Sequence, residues 1–195
     1  MNDSSFIYQK KGALSKFFCD EMIKHFEDNQ SKHSVGAVGA DNKILVFRNH
    51  KNSIDLPIIM HSIINPLHTT LEIILSNNIS EYGKIYPFLN EVDPYRITLS
   101  ANIQKYNPTG GYVREHCEYG PFHDESNKRV LAWMFYLNDV TDKGGTRFPS
   151  HNVTLKARAG DLYIWPSYFT HSHHGVASPS QVKYIVTGWV DFIDS

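Results

Sequence analysis

The stretch Tyr95–Tyr106, YRITLSANIQKY, decides the fold class, because apolar and polar residues alternate along it. With this alternation, one face carries Ile97, Leu99, Ala101 and Ile103, and the other carries Thr98, Ser100, Asn102, Gln104 and Tyr106. The pattern predicts a strand with one buried face, which the turn at 107–111 ends. Further strands are predicted near residues 112–118, 130–137, 152–156, 160–165 and 182–192. Several short strands without helical patterns between them favour a sandwich or barrel.

The first half of the chain has helical periodicity instead. Ser15 is the predicted cap of a helix with an apolar face formed by Phe18, Met22 and Phe26. A second helical pattern runs from Asp55 to Tyr82, and Pro66 either ends one helix in it or opens the next. That pattern consists of Ile59, Ile63, Leu67, Leu71 and Ile74. We predict one α+β domain over residues 1–195, with a mainly helical buttress at 1–94 and a strand-rich core at 95–195.

Composition excludes several classes of protein. The 195 residues include 41% apolar side chains, and 19 basic against 20 acidic groups give a net charge of -1. A disordered chain and a nucleic-acid or membrane-surface protein are therefore not expected. Two cysteines, no signal-like N-terminus and no apolar span favour a cytoplasmic protein. The oligomeric state is left open.

Two groups of histidines suggest a metal site. His116 and Glu118 lie two apart in a predicted strand, so their side chains share a face and can converge on one ion. A third ligand is available from His171, His173 or His174. Two imidazoles and one carboxylate that leave positions open opposite them are typical of non-haem Fe(II) oxygenases, whereas a closed zinc site needs four protein ligands.

The last predicted strand carries a lysine on an inward face. Alternation places Lys183, Ile185, Thr187 and Trp189 together on one side of the segment KYIVTGW. A buried ammonium is costly unless an anion meets it, and a ligand carboxylate would satisfy that requirement. The alternative is an edge-strand lysine that reaches solvent.

Residues 95–192 resemble the Fe(II)/2-oxoglutarate-dependent dioxygenases, specifically their prolyl 4-hydroxylase-like branch. The resemblance implies a double-stranded β-helix, or jelly roll, with the N-terminal helices packed on one sheet. It rests on Tyr106, GGYVREHCE (110–118), RVLAWMFYLND (129–139), GGTRF (144–148), GDLYIW (160–165), HHG (173–175) and KYIVTGW (183–189).

The resemblance also implies roles for individual residues. His116, Glu118 and His173 match the iron ligands, and Lys183 matches the partner of the far carboxylate of 2-oxoglutarate. The residues that match the rest of the cosubstrate pocket are Tyr106, Tyr136, Thr187 and Trp189. The implied cofactors are Fe(II), 2-oxoglutarate, O₂ and, as an optional reductant, ascorbate.

Two departures from the family pattern, and a choice among three distal histidines, leave alternatives open. Glu118 stands where the family usually has Asp, and its carboxylate is one methylene further from the backbone. The segment Gly144–Phe148 is one residue shorter than the family motif and lacks its acid, so the role of Thr146 is open. His174, and after it His171, are alternatives to His173 as the distal ligand.

The resemblance implies hydroxylation of a prolyl residue in a peptide or protein, with release of succinate and CO₂. Two alternatives are a hydroxylase of a free amino acid or other small molecule, and a jelly-roll module that binds Zn or Ni without redox turnover. Residues 119–128, next to Gly110 and Gly111, are a candidate mobile lid.

Overall fold

The computed structural model describes residues 5–40, 43–120 and 125–193. Its α-helices are α1 (Lys16–Asp28), α2 (Pro66–Ile85) and α3 (Leu89–Val92). Its strands are β1 (Tyr8–Lys10), β2 (Ser34–Val35), β3 (Val38–Ala40), β4 (Lys43–Leu45), β5 (Ile54–Ile59), β6 (Tyr95–Ile97), β7 (Ser100–Tyr106), β8 (Arg129–Tyr136), β9 (Thr146–Phe148), β10 (Val153–Leu155), β11 (Leu162–Pro166), β12 (His174–Gly175) and β13 (Lys183–Phe192).

Two antiparallel sheets form the framework. The large sheet has the order β1-β11-β8-β13-β7-β5-β2, and β6 pairs with the far end of β13. The small sheet has the order β10-β9-β12, while β3 and β4 pair with each other. The predicted jelly-roll class, with helices packed on one sheet, is therefore confirmed.

Helices α1 and α2 cover one face of the large sheet. Ser15 caps α1 by accepting a hydrogen bond from the Phe18 backbone N–H at 3.1 Å, as predicted. In α2, Asn65 is the cap and Pro66 occupies the first turn, so this proline opens a helix. Apolar side chains of both helices are buried against the strands in one cluster, which includes Met22, Phe26, Leu71, Leu75, Ile103, Trp133, Phe135, Val186 and Val190.

A second apolar cluster lies on the opposite face, between the large and small sheets. It contains Tyr106, Met134, Tyr136, Phe148, Leu155, Tyr163, Trp165 and Ile185. The alternation predicted for β13 is confirmed, because Ile185 lies in this cluster and Val186 lies in the helix-facing one. The residues of β13 that share a face with Ile185 therefore point into the space between the two sheets.

The helical prediction for residues 55–65 is wrong. Residues Ile54–Ile59 form β5, which pairs with β7 in the large sheet, and the helix begins only at Pro66. Leu56 and Ile58 are buried in the helix-facing core with a period of two, whereas Ile63 is 96% exposed. The four-residue spacing of the isoleucines suggested a helix. The segment is a strand because its pairing with β7 outweighs this local periodicity. Residues 1–94 consequently contribute strands as well as helices.

Two strand predictions in the second half also need correction. The run Tyr95–Tyr106 is broken at residues 98–99, because β6 and β7 pair with different parts of β13. Leu99 therefore lies at a bend and is 64% exposed. Residues 112–118 form no continuous strand, and their pairing consists of isolated bridges from Tyr112 and His116.

Part of the candidate lid, residues 121–124, lies outside the described residues. On its far side, Glu125–Lys128 form a short 3₁₀ helix. Within the described ranges, no helix combines the length and the apolar character that a membrane span requires.

Packing of α1 generates the first testable prediction. We expect Phe26→Ala to lower the free energy of unfolding by about 3–5 kcal/mol, because the Phe26 side chain is fully buried against the sheet. Phe17→Ala on the same helix is the matched control and should change it by less than about 0.5 kcal/mol, since Phe17 is 75% exposed. Urea unfolding measures both, and similar losses for the two variants would contradict the assigned helix face.

Candidate active site

A backbone bridge brings two distant histidines together. The His116 N–H donates to the His173 carbonyl at 2.9 Å, and the His173 N–H donates to the His116 carbonyl at 2.8 Å. Directly paired residues of an antiparallel bridge project their side chains to the same side. The two imidazole rings accordingly lie 4.5 Å apart between ring centres.

Both imidazoles have the same orientation. Nδ1 of His116 lies 2.9 Å from the Arg114 carbonyl oxygen, and Nδ1 of His173 lies 2.9 Å from the His171 carbonyl oxygen. A carbonyl only accepts hydrogen bonds, so each Nδ1 carries a proton and donates it. In the neutral rings this leaves both Nε2 atoms as lone-pair donors that face the same space.

The Glu118 carboxylate completes this cluster. Its Oε1 lies 3.5 Å from Nε2 of His116 and 3.4 Å from Nε2 of His173. Among the described residues, these three side chains form the one cluster that could bind a metal ion. Their ligand atoms all lie within 4.8 Å of one another. Burial would raise the pKa of Glu118, but the two imidazoles, when they also carry a proton on Nε2, hold that pKa well below its usual range.

The other carboxylate oxygen of Glu118 is held from the opposite side. The Trp189 indole Nε1–H donates to Oε2 at 2.7 Å, and the Arg129 guanidinium stacks on the indole at 3.6 Å from its ring centre. Trp189 therefore contacts the candidate metal ligand, whereas the resemblance implied support of the cosubstrate. This contact orients the longer glutamate side chain so that Oε1 is directed at the imidazoles.

The two alternative histidines lie outside the cluster. Both ring nitrogens of His171 have partners, since Nε2 contacts the Ser5 carbonyl at 2.8 Å and Nδ1 contacts the Thr170 hydroxyl at 2.9 Å. His174 lies on β12 opposite Arg147, and consecutive residues of a strand point to opposite sides. The geometry therefore favours His173.

Lys183 is buried between the sheets and is 4% exposed. Its Nζ donates to the Gly144 carbonyl at 3.0 Å and lies 4.8 Å from the centre of the Tyr106 ring. In the part of the chain that the structure describes, no carboxylate forms an ion pair with this ammonium. Burial lowers the pKa of Lys183 to about 8, from an ordinary value of 10.5. The ammonium is thus buried, as the alternation predicted, and the alternative of a solvent-reaching lysine is wrong.

The hydroxyl groups of three residues predicted to line the cosubstrate pocket already have partners within the chain. Tyr106 donates to Oε1 of Gln104 at 2.7 Å, and the Tyr136 hydroxyl lies 2.8 Å from the Thr146 hydroxyl. The Thr187 hydroxyl donates to the Trp133 carbonyl at 2.8 Å, so its one hydrogen is already engaged. Burial raises the pKa of Tyr106 and of Tyr136, and both phenols therefore stay protonated.

Sequence reasoning missed the rings that enclose the metal ligands. Tyr112 stacks on His116 with ring centres 3.6 Å apart, and Phe148 stacks on His173 at 5.0 Å. Tyr112 lies four residues before His116 in an irregular segment, where no periodicity predicts a contact. Phe148 was part of the motif used for the resemblance, but its partner became evident only from the packing of the two sheets.

Comparison with known proteins gives one family and several similar folds. Residues 101–191 match the 2OG-Fe(II) oxygenase superfamily. No curated protein sequence matches the chain.

Three solved structures illustrate the likeness of the fold. The viral collagen prolyl hydroxylase of Paramecium Bursaria Chlorella virus-1, solved with 2OG, is 18% identical with a TM-score of 0.65 and covers 99% of both chains. A Pseudomonas putida prolyl-4-hydroxylase is 15% identical with a TM-score of 0.69, over 98% of this chain and 95% of that one. A Trichoplax adhaerens prolyl hydroxylase, solved with a peptide fragment of hypoxia inducible factor, is 16% identical with a TM-score of 0.70, over 97% and 84%.

At these identities the solved structures establish the fold, and the superfamily match covers the segments that carry His116, Glu118, His173 and Lys183. Residues 101–191 match the 2OG-Fe(II) oxygenase superfamily, which indicates a 2-oxoglutarate-dependent dioxygenase, and the chain as a whole has the fold of the prolyl hydroxylases.

Proposed function

We propose that His116, Glu118 and His173 hold the ferrous ion of a peptidyl-prolyl hydroxylase. One observation carries the iron assignment: two imidazole Nε2 atoms and a carboxylate oxygen face one another within 4.8 Å. With both Nδ1 atoms protonated, three lone-pair-bearing atoms share one small space, which is unfavourable unless a cation lies among them. Three ligands of this type suit Fe(II) with open positions better than a closed zinc site.

Lys183 supports the second part of the proposal, which concerns the cosubstrate. Among the described residues, this deeply buried ammonium has one carbonyl as its hydrogen-bond acceptor and one aromatic ring beside it, so it has unused capacity to bind a carboxylate. We assign it to the far carboxylate of 2-oxoglutarate. Tyr106 lines the same end of the pocket through its ring, and Tyr136 and Thr146 form the adjoining wall.

The reaction follows from these assignments. With iron bound, the site supplies the redox chemistry that couples 2-oxoglutarate, O₂ and a C–H bond to succinate, CO₂ and C–OH. The protein residues bind and orient: Trp189 holds Glu118, Tyr112 and Phe148 flank the two imidazoles, and Lys183 selects a dicarboxylic oxo acid.

The prolyl substrate is supported by the fold likeness to several prolyl hydroxylases, one of which was solved with a peptide fragment. We further propose that residues 1–195 act as one domain, because β1, β2 and β5 of the first half are strands of the same sheet as β7, β8 and β13. Ascorbate is included in the proposal as a reductant that maintains Fe(II).

Substrate turnover tests the proposal directly. Purified protein with Fe(II), 2-oxoglutarate and ascorbate is expected to release succinate in the presence of a Pro-containing peptide, and mass spectrometry should find one added oxygen on proline. The same peptide with proline replaced by alanine is the control. Succinate release that depends on a free amino acid and not on any peptide would contradict the peptidyl substrate but not the dioxygenase.

The choice of distal ligand is tested by a pair of neighbouring variants. His173→Ala should weaken Fe(II) binding more than about a hundredfold, since altering even the partners of metal ligands costs about 10- to 100-fold. His174→Ala should leave Fe(II) binding nearly unchanged, because His174 belongs to β12 and not to the cluster. Anaerobic metal titration measures both, and the reverse order would move the ligand assignment to His174.

The pKa of Lys183 predicts how cosubstrate binding depends on pH. The ammonium is fully protonated well below pH 8, and its charge is lost as the pH rises through that value. Affinity for 2-oxoglutarate should therefore fall by up to about tenfold per pH unit above 8. Lys183→Arg should flatten this decline, because a guanidinium keeps its charge to a pH of about 12. Equilibrium binding from pH 6.5 to 9.5 measures the effect, and equal declines in both proteins would contradict the assignment.

A further inference from the structure

A buried ion pair lies beside the proposed cosubstrate pocket and takes no part in the metal site or in the contacts of Lys183. Lys51 Nζ is 2.7 Å from Asp55 Oδ2, and the two side chains are only 7% and 9% exposed. Ser53 donates to the other carboxylate oxygen of Asp55 at 2.7 Å. The structure therefore buries two opposite charges in this segment.

Strand register places Asp55 on the side of the sheet that carries the pocket. Asp55 pairs directly with Gln104, Gln104 with Ile185, and Ile185 with Tyr136. Directly paired residues of an antiparallel sheet share a face. Since Ile185 and Tyr136 belong to the cluster between the two sheets, the Asp55 carboxylate faces the same interior.

Hydrogen bonds connect Asp55 to the surroundings of Lys183. Gln104 Nε2 is 3.5 Å from Asp55 Oδ2, and the Gln104 side-chain oxygen accepts from the Tyr106 hydroxyl at 2.7 Å. The Tyr106 ring lies 4.8 Å from Lys183 Nζ. The negative charge of Asp55 contributes to the raised pKa of Tyr106, after the larger effect of burial. The charge of Asp55 therefore contributes to the electrostatic potential at the proposed cosubstrate pocket.

Lys51 is also linked to the metal ligands. Its backbone bridges to Tyr112, its ammonium lies 5.8 Å from the centre of the Tyr112 ring, and that ring stacks on His116. The segment around Lys51 is thus linked both to the proposed metal ligands and to the surroundings of Lys183. A buried carboxylate at this position, if it were unpaired, would repel a dicarboxylate and compete with it for the ammonium of Lys183.

We propose that Lys51 is a charge-balancing positioning residue, which neutralises the buried Asp55 carboxylate so that Lys183 remains available to 2-oxoglutarate. This inference rests on the proposed placement of 2-oxoglutarate at Lys183. It makes residues near 51–55, which lie outside the segment that resembles the family, part of the cosubstrate site.

Two substitutions with opposite expected effects on the affinity for 2-oxoglutarate distinguish this role from a structural one. Lys51→Met leaves the carboxylate unpaired, and we expect it to weaken 2-oxoglutarate binding on the order of tenfold, the effect of one charge over roughly 10 Å at an effective dielectric constant of about 20. Asp55→Asn removes the negative charge and keeps the ammonium, so we expect tighter binding. The double variant should return close to the wild-type affinity, because both charges are gone.

The measurement is the dissociation constant of 2-oxoglutarate, from the absorption band that it forms with Fe(II) in the holoprotein under nitrogen. Lys105→Met is the matched control, because it breaks an ion pair with Glu27 at 2.7 Å on the helix-covered side of the same sheet. Thermal unfolding is recorded for every variant, because breaking the Lys51–Asp55 or the Lys105–Glu27 ion pair is expected to lower stability whether or not it changes 2-oxoglutarate binding.

Two results overturn the inference alone: Lys51→Met binding like wild type, or Asp55→Asn binding more weakly than wild type. In either case wild-type protein still binds 2-oxoglutarate and Lys183→Met abolishes that binding. Failure of the wild-type protein to bind 2-oxoglutarate, or undiminished binding by Lys183→Met, would overturn the proposed pocket and this inference with it.

Discussion

The reciprocal backbone bonds between His116 and His173 are the constraint on which the rest of the site depends. They join an irregular segment that follows β7 to the turn before β12, at a place where neither segment belongs to a long strand. Because the pair is directly opposed, both imidazoles must project to the same side, and carbonyl acceptors at Nδ1 then fix which nitrogen faces Glu118. The convergence of three ligand atoms is a consequence of this bridge.

Buried charge is distributed unevenly around that centre. Lys183 has no anionic partner among the described residues, whereas Lys51 is fully paired with Asp55 a short distance along the same sheet. Desolvation makes both arrangements costly, and each cost is offset only by a specific interaction. For Lys51 that interaction lies within the protein, and for Lys183 we assign it to the ligand. Tyr106 stands between the two charges and connects them.

Local signals predicted the elements whose packing agrees with their periodicity. The cap of α1 and the two faces of β13 were predicted from the sequence, because one amphipathic pattern explains each element. Prediction failed for β5, where isoleucines at a spacing of four happened to fit a helix although the segment pairs with β7. It also failed at residues 112–118, because the site there is held by isolated bridges and ring stacking that leave no periodic trace.

Alternation and side-chain chemistry, which are local properties of the chain, were enough to predict a strand-rich sandwich or barrel with two histidines, a carboxylate and an inward-facing lysine, and the family resemblance implied that this fold is a jelly roll. Tertiary structure alone decided that His173 and not His171 or His174 meets Glu118, that Trp189 holds Glu118, and that the Asp55 charge faces the pocket. The physical reason is register: which residues stand opposite one another depends on the pairing of distant segments, and no local pattern encodes that pairing.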